Sequence, residues 1–275
     1  MSYVDAYFDR DSDIIRVVER NDGKRQYTEY PVKYTFYYDD PRGKHKSIYG
    51  DPISRIVSKS TKDFRKELAI NSKRKLFESD INPIFQCLSE NYLNQDAPKL
   101  NIAFFDIETD FDPDRGFADP SDPFMPITAI TVHLQWLDAL ITLAVPPKTL
   151  TMDQAKDQCK EWGEECVLFE KEADMLQAFL DLIQDSDILS GWNSEGYDIP
   201  YTVNRVSRVL SKDDTRRFCL WKQLPKKREF EKYGKSAETY DFIGRVHLDS
   251  LELYRKYTYE ERHTYRLDAI GELEV

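Results

Sequence analysis

No stretch of this 275-residue chain approaches the roughly 18–20 consecutive apolar residues of a membrane-spanning helix. Its first ten residues, M-S-Y-V-D-A-Y-F-D-R, lack both the basic start and the apolar run of a secretory signal. A cytoplasmic protein without a membrane partner is expected. Cysteine is scarce: Cys87, Cys159, Cys166 and Cys219 show no CxxC spacing and no paired histidines accompany them, which excludes a zinc ribbon and a disulfide framework and leaves free thiols. There is no internal repeat and no low-complexity tract. Positive charge is also in deficit, with a formal net charge of -11 that argues against a generally nucleic-acid-binding surface.

The charge is unevenly spread. Residues 1–100 are close to neutral, so the acidity belongs to the rest. Between Arg42 and Lys75 stand 11 basic residues, Arg65 and Lys66 among them, against only Asp51, Asp63 and Glu67. Such a run is a candidate phosphate-facing patch, and Tyr34, Phe36, Tyr37, Tyr38 and Tyr49 beside it could stack on unpaired bases. The plainer alternative is a solvated charged face over tyrosines that fill a strand core.

With 40% hydrophobic residues the chain can build one large or two modest cores. Ser2–Phe8, Ile14–Val18 and Gln26–Tyr38 read as strands, the N-D-G at Asn21–Gly23 turning between two of them. A helix is expected over Ser60–Ala69, capped by Ser60 or Thr61, with Phe64, Leu68 and Ile70 inward. A second runs through Pro83–Tyr92. Asn94–Pro98 reads as a junction, giving a strand-rich domain over residues 1–99 and an α/β domain over 100–275. In the latter we expect a strand at Asn101–Thr109 buried on both sides, then a long loop interrupted by Pro113, Pro120, Pro123 and Pro126. Strands at Ile127–Gln135 and Ala139–Val145 form a hairpin, and an exposed acidic segment covers Met152–Glu165. A strand at Cys166–Phe169, a helix at Glu172–Gln184, a short strand at Ile188–Gly191 and a helix from Ile199 complete the pattern.

Within N-I-A-F-F-D-I-E-T-D, Asp106 and Glu108 are two residues apart, so in a strand both carboxylates leave one face while Phe105 and Ile107 enter the core. Paired acids repel, and a hard divalent cation such as Mg2+ or Mn2+ relieves them. Two such ions about 4 Å apart clamp the attacking and leaving oxygens in phosphodiester cleavage. A strand end whose acids simply face water remains the plain alternative. The second constellation is G-W-N-S-E-G-Y-D-I-P-Y at Gly191–Tyr201, where Asp198 is either an ordinary helix-start acid or a third ligand.

Taken together, F-D-I-E-T and, about ninety residues further on, N-S-E-G-Y-D resemble the first two exonuclease motifs of family B DNA polymerases of the tailed-phage type. The resemblance extends to I-T-A-I-T-V-H at Ile127–His133, to L-D-S-L-E-L-Y-R-K-Y at Leu248–Tyr257 and to Y-G-D-P-I-S-R. It implies an α+β N-terminal domain followed by an RNase-H-like 3′-5′ proofreading exonuclease domain. Asp106, Glu108 and Asp198 would be catalytic carboxylates holding two Mg2+ or Mn2+ ions. Asn193 and Tyr197 would line the pocket for the 3′-terminal nucleotide, and Phe117 would contact a base. The segment Arg228–Gly244, with Tyr233–Lys235 at its apex and Lys235 facing nucleic acid, resembles a strand-separating hairpin.

The family's third exonuclease motif, Y-N-x-x-D, and the polymerase motifs D-x-x-S-L-Y-P and Y-x-D-T-D are not present. Asp249 within L-D-S-L-E-L-Y reads as the first-turn acid of a helix. The expectation is an exonuclease domain cut before its last helix, either a piece of a longer polymerase or the N-terminal subunit of a split one, acting in the host cytoplasm if phage-encoded. Its expected partners are the single-stranded 3′ end of DNA and the remaining polymerase polypeptide, with RNA a further candidate for the N-terminal domain. Alone, it is expected to be weak or inactive. The alternatives are a free-standing RNase-H-like exonuclease and a non-catalytic nucleic-acid-binding module.

Overall fold

A computed structural model describes residues 2–162, 166–232 and 235–274, without the side chains of Trp162, Lys232 and Lys235. Two compact units result, Met1–Lys99 and Leu100–Val275.

In the first unit, β1 (Ser2–Asp9), β2 (Ile14–Asn21) and β3 (Lys24–Pro31) form an antiparallel meander. The β2–β3 turn places Asp22 at φ 47° and Gly23 at φ 77°, the pair of positive values that a tight hairpin following strand twist requires. The stretch expected as one strand over Gln26–Tyr38 is two. Pro31 cannot donate to a ladder, so β3 ends there and the chain re-enters a different sheet as β4 (Tyr34–Asp39). That sheet adds β5 (His45–Lys46), β6 (Pro52–Ser58) and, beyond α1 (Thr61–Ile70), β7 (Leu76–Phe77), in the order β5-β6-β4-β7.

Ser60 caps α1 by accepting from the Asp63 N–H. Phe64 stacks on Tyr34 with ring centroids 4.7 Å apart, whereas Ile70 is 65% exposed, so the expected inward set loses its last member. α2 (Pro83–Tyr92) closes the core through Cys87 and Tyr92, packed with Ile15, Val17, Val32 and Tyr34.

The second unit is built on a six-stranded sheet. Its strands are β8 (Ile102–Thr109), β9 (Ile127–Leu134), β10 (Ala139–Ala144), β11 (Cys166–Leu168), β12 (Ile188–Gly191) and β15 (Val246–Asp249), and β13 (Lys226–Lys232) and β14 (Lys235–Asp241) make a separate hairpin. The order is β11-β10-β9-β8-β12-β15. β9 runs antiparallel to β8 and β10, and β12 and β15 run parallel to β8 and to each other. Leaving β11 aside, this is the 3-2-1-4-5 order of an RNase-H-like fold, on a mixed α/β framework. Within the acidic segment expected to be exposed, Met152–Trp162 forms the helix α3. α4 (Glu172–Leu182) buries Met175, Leu176, Phe179 and Leu180, and its Phe179 ring lies 5.3 Å from that of Phe105 on β8. α5 (Asp198–Val209), α6 (Ser250–Tyr257) and α7 (Leu267–Glu274) follow.

β8 is not buried on both sides as its composition suggested. Ala103, Phe105 and Ile107 are in the core while Phe104, Asp106 and Glu108 alternate onto an open face. Gly191 ends β12 under a tight constraint: a Cβ there would stand 2.6 Å from the Phe105 carbonyl oxygen, so only glycine lets β12 lie this close to β8 at this point. Among the described residues, no helix is long and apolar enough to cross a membrane. Among the described residues no disulfide joins Cys87, Cys159, Cys166 or Cys219.

Candidate active site

The period-2 pleat of β8 puts Asp106 and Glu108 on one face, opposite Thr131 and Ala129 of β9. The ladder slips between Glu108 and Thr109, an irregularity of the kind that re-aims side chains at strand ends. β12, the parallel neighbour on the other side, delivers the turn Trp192–Tyr197 and then α5, whose first residue is Asp198. Asp198 is 4% exposed, and its Oδ1 accepts the Ile107 N–H at 3.2 Å, from the residue between Asp106 and Glu108.

The site is acidic. Burial first, and the Asp106 charge second, push the Asp198 carboxyl up to about 7 in spite of the Ile107 hydrogen bond. Burial and then the Glu108 charge raise Asp106 as well. Among the described residues no three Asp, Glu, His or Cys side chains are gathered tightly enough to enclose an ion. Asp106, Glu108 and Asp198, expected from the sequence as ligands, are electrostatic neighbours without forming such a group.

The turn before α5 is held from below by Asp249. Its Oδ1 accepts the Asn193 N–H at 3.0 Å and its Oδ2 the Glu195 N–H at 2.9 Å, while Oδ1 also caps α6 by accepting from Leu251 at 2.8 Å. The reading of Asp249 as a first-turn acid is corrected: it is the N-cap residue, and a three-way acceptor. Asn193 sits at φ 61°, a left-handed conformation that asparagine tolerates better than most residues. Next to it, Ser194 Oγ and His247 Nε2 share a 2.9 Å hydrogen bond, and burial lowers the pKa of the imidazole. Nothing local in N-S-E or H-L-D-S announced either contact.

Tyr197 lies between the turn and β8, its hydroxyl 3.2 Å from Thr109 Oγ1 and its ring 5.3 Å from that of Tyr201. Burial is the main cause of its raised pKa, and the charges of Asp198, Glu108 and Asp119 add to it. Phe117, on the loop after β8, is 72% exposed. The hairpin of β13 and β14 is tied to this region through Arg228, which pairs with Glu195 and, at 3.0 Å, with Asp241, and through Tyr240, whose hydroxyl donates to Asn204 at 2.7 Å. Tyr233, Gly234 and the Lys235 side chain lie outside the described residues.

Arg65 and Lys66 belong to the first unit, exposed on α1. The aromatic set expected to stack on bases there is reduced. Tyr34 and Phe36 are core residues at 7% and 0% exposure, and Arg74 lies over the ring of Tyr38, 4.4 Å from its centroid. Lys75 stands by Tyr49 and Phe77. Arg74 thus occupies one face of the Tyr38 ring, whereas Tyr49 stays 73% exposed.

Sequence comparison agrees with this architecture. The chain is 28% identical to a DNA-directed DNA polymerase of Escherichia phage RB69, over 96% of this chain and 32% of that protein. It is 26% identical to a DNA-directed DNA polymerase of Enterobacteria phage T4, over 94% of this chain and 31% of that protein. A DNA polymerase of Bombyx mori nuclear polyhedrosis virus is 30% identical over 32% of this chain and 9% of its own length. The chain spans about a third of the length of the two phage relatives. Residues 61–270 match the sequence model of the family B DNA polymerase exonuclease domain, and with three quarters of its length matched the chain belongs to that family.

Proposed function

We propose that this chain carries most of the 3′-5′ proofreading exonuclease site of a replicative family B DNA polymerase, acting on the single-stranded 3′ end of DNA. The observation that carries the reading is the burial of Asp198 against the backbone between Asp106 and Glu108, three carboxylates in one neighbourhood with two of them held above their ordinary pKa. Hard oxygen donors whose charges are mutually unfavourable suit Mg2+ or Mn2+, and Asp106, Glu108 and Asp198 would hold a pair of such ions. Bound there, the ions would supply an activated water and neutralise charge on the scissile phosphate and the leaving 3′-oxygen.

The chain's own residues do the rest. Asp198 is fixed in orientation by the Ile107 N–H, so its free oxygen is presented in one direction. Asp249 anchors the Asn193–Glu195 backbone, and at this turn the Asn193 side chain would meet the sugar or phosphate of the terminal nucleotide. Tyr197 offers its hydroxyl and ring at the same edge. We propose further that a third exonuclease motif and the polymerase domain come from additional polypeptide, and that without it hydrolysis is slow. The length of the phage relatives, about three times that of this chain, supports this.

Ion binding tests the reading directly. Millimolar Mg2+ or Mn2+ should raise the thermal stability of the chain, and Asp106→Ala or Asp198→Ala should remove the response. An identical response in both variants would refute it. The basic run Arg42–Lys75 supports a second reading, a nucleic-acid-binding module in the first unit, with RNA or DNA held through phosphates.

A further inference from the structure

His247 takes no part in the chemistry proposed above, yet the pleat of β15 places it beside the anchor of the active-site turn. Residues 247 and 249 leave the same face of that strand, as i and i+2 must. Asp249 accepts the backbone N–H groups of Asn193 and Glu195, and His247 bonds the side chain between them, with Nε2 2.9 Å from Ser194 Oγ. Two side chains of one strand thus grip three successive residues. Ser194 itself is fully buried, so its hydroxyl depends on protein partners.

Counting hydrogens fixes the direction of that bond. A serine hydroxyl has one hydrogen to give, and the Gly191 carbonyl 3.1 Å away can only accept. Both bonds of Ser194 Oγ are made when its hydrogen points to Gly191 and His247 donates from Nε2. Burial favours the neutral imidazole, which leaves Nδ1 without a hydrogen.

Ser194 passes the constraint on in two directions. Its carbonyl accepts the Ile199 N–H at 2.9 Å in the first turn of α5, and Ile199 is the residue after Asp198. Through Gly191 it reaches the other acid. A Cβ on Gly191 would stand 3.0 Å from Ser194 Cβ and 2.6 Å from the carbonyl oxygen of Phe105, the residue before Asp106. Asp249 holds backbone N–H groups on either side of Ser194, whereas His247 holds the residue whose carbonyl ties down the start of α5.

We infer that His247, donating from Nε2 to Ser194, is a positioning residue that sets Asp198 relative to Asp106 for ion binding. This rests on the exonuclease reading above. The probe is Mn2+ added to the full chain, with free ion read by electron paramagnetic resonance and Asp106→Ala as the control that loses the site. His247→Leu, which removes the donor, and Ser194→Ala, which removes the acceptor, should each weaken Mn2+ binding roughly 10-fold. His247→Gln, whose side-chain amide can donate from Nε2, should restore near wild-type affinity. That rescue should vanish when Ser194→Ala is combined with it. With four histidines in the chain, nitrogen-15 spectra at about pH 8 should show the signal lost in His247→Gln to be that of a ring carrying its hydrogen on Nε2.

Lower thermal stability with unchanged Mn2+ affinity in His247→Leu and Ser194→Ala marks a purely structural pair and overturns the inference. So does a hydrogen on Nδ1 alone, or a glutamine variant as weak as the leucine one. If His247→Leu does not fold, Ser194→Ala must show the loss by itself. Binding that depends on Asp106 but not on His247 or Ser194 refutes the positioning role alone. A wild-type chain that binds no Mn2+, or binds it equally in Asp106→Ala, refutes the exonuclease reading and this inference with it.

Discussion

Replacing Asp198 with asparagine should make the metal-free protein more stable, and more so at higher pH. The side chain keeps its shape and its Oδ1 acceptor for the Ile107 N–H, and loses only the ability to ionise. In the folded wild type burial and the neighbouring Asp106 hold the carboxyl at about 7, against 3.8 for an unperturbed aspartate. The folded state therefore keeps a proton that the unfolded state has released, and folding becomes less favourable as pH rises through that window. The stability lost is complete only above the folded value. Converted at about 1.4 kcal/mol per tenfold change in proton affinity, the ceiling is about 4 kcal/mol near pH 8, falling to about 2 near pH 5 and to nothing near pH 3. Realising half of the ceiling would raise Tm by roughly 4–8 °C for a unit of this size.

Thermal unfolding in EDTA across that pH range, with wild type and variant side by side, measures the difference. A gap that opens as pH rises supports the buried, repelled carboxylate. A variant no more stable than wild type at about pH 8, or a gap independent of pH, would show that Asp198 carries no ionisation penalty. Saturating Mg2+ should narrow the gap by stabilising only the wild type.

Other perturbations probe the scaffold around the site. Gly191→Ala should cost roughly 1–3 kcal/mol in chemical denaturation, because the added methyl meets the Phe105 carbonyl and must push β12 away from β8. Asp249→Asn should weaken the Mg2+ response less than Asp106→Ala does, since it loosens the Asn193–Glu195 turn without removing one of the proposed ligands; equal loss in isothermal titration would make Asp249 a ligand instead. Ser60→Ala should destabilise the first unit by about 1 kcal/mol through loss of the α1 cap, seen as a shifted urea midpoint. Neutralising Arg65 and Lys66 should lower the log–log salt slope of nucleic-acid binding by about one for each phosphate that the pair no longer neutralises, and an unchanged slope would exclude them from the interface.

The amino-acid sequence alone determined those features that depend on near neighbours. The alternation of β8, the N-D-G hairpin, the Ser60 cap and the helix beginning near Asp198 all follow from spacing and backbone chemistry within a few residues. The acid pair Asp106 and Glu108 was legible for the same reason: a strand with period two sends i and i+2 to one face. The break at Pro31 and the open face of β8 were not, because which strands pair, and on which side a sheet is covered, is settled by partners far along the chain.

Only the tertiary structure decided what distant groups do to one another. It buried Asp198, beside Asp106, and so raised its pKa, and it turned Asp249 from an ordinary helix acid into the anchor of the Asn193 turn. Glu172 and Arg205, 33 residues apart, were joined beneath the loop that bears Phe117. It also buried Tyr34 and Phe36, which composition had offered as surface rings. Conformation is a local property of the backbone, whereas burial, charge repulsion and hydrogen-bond partnership depend on which surfaces meet, and only a completed fold brings them together.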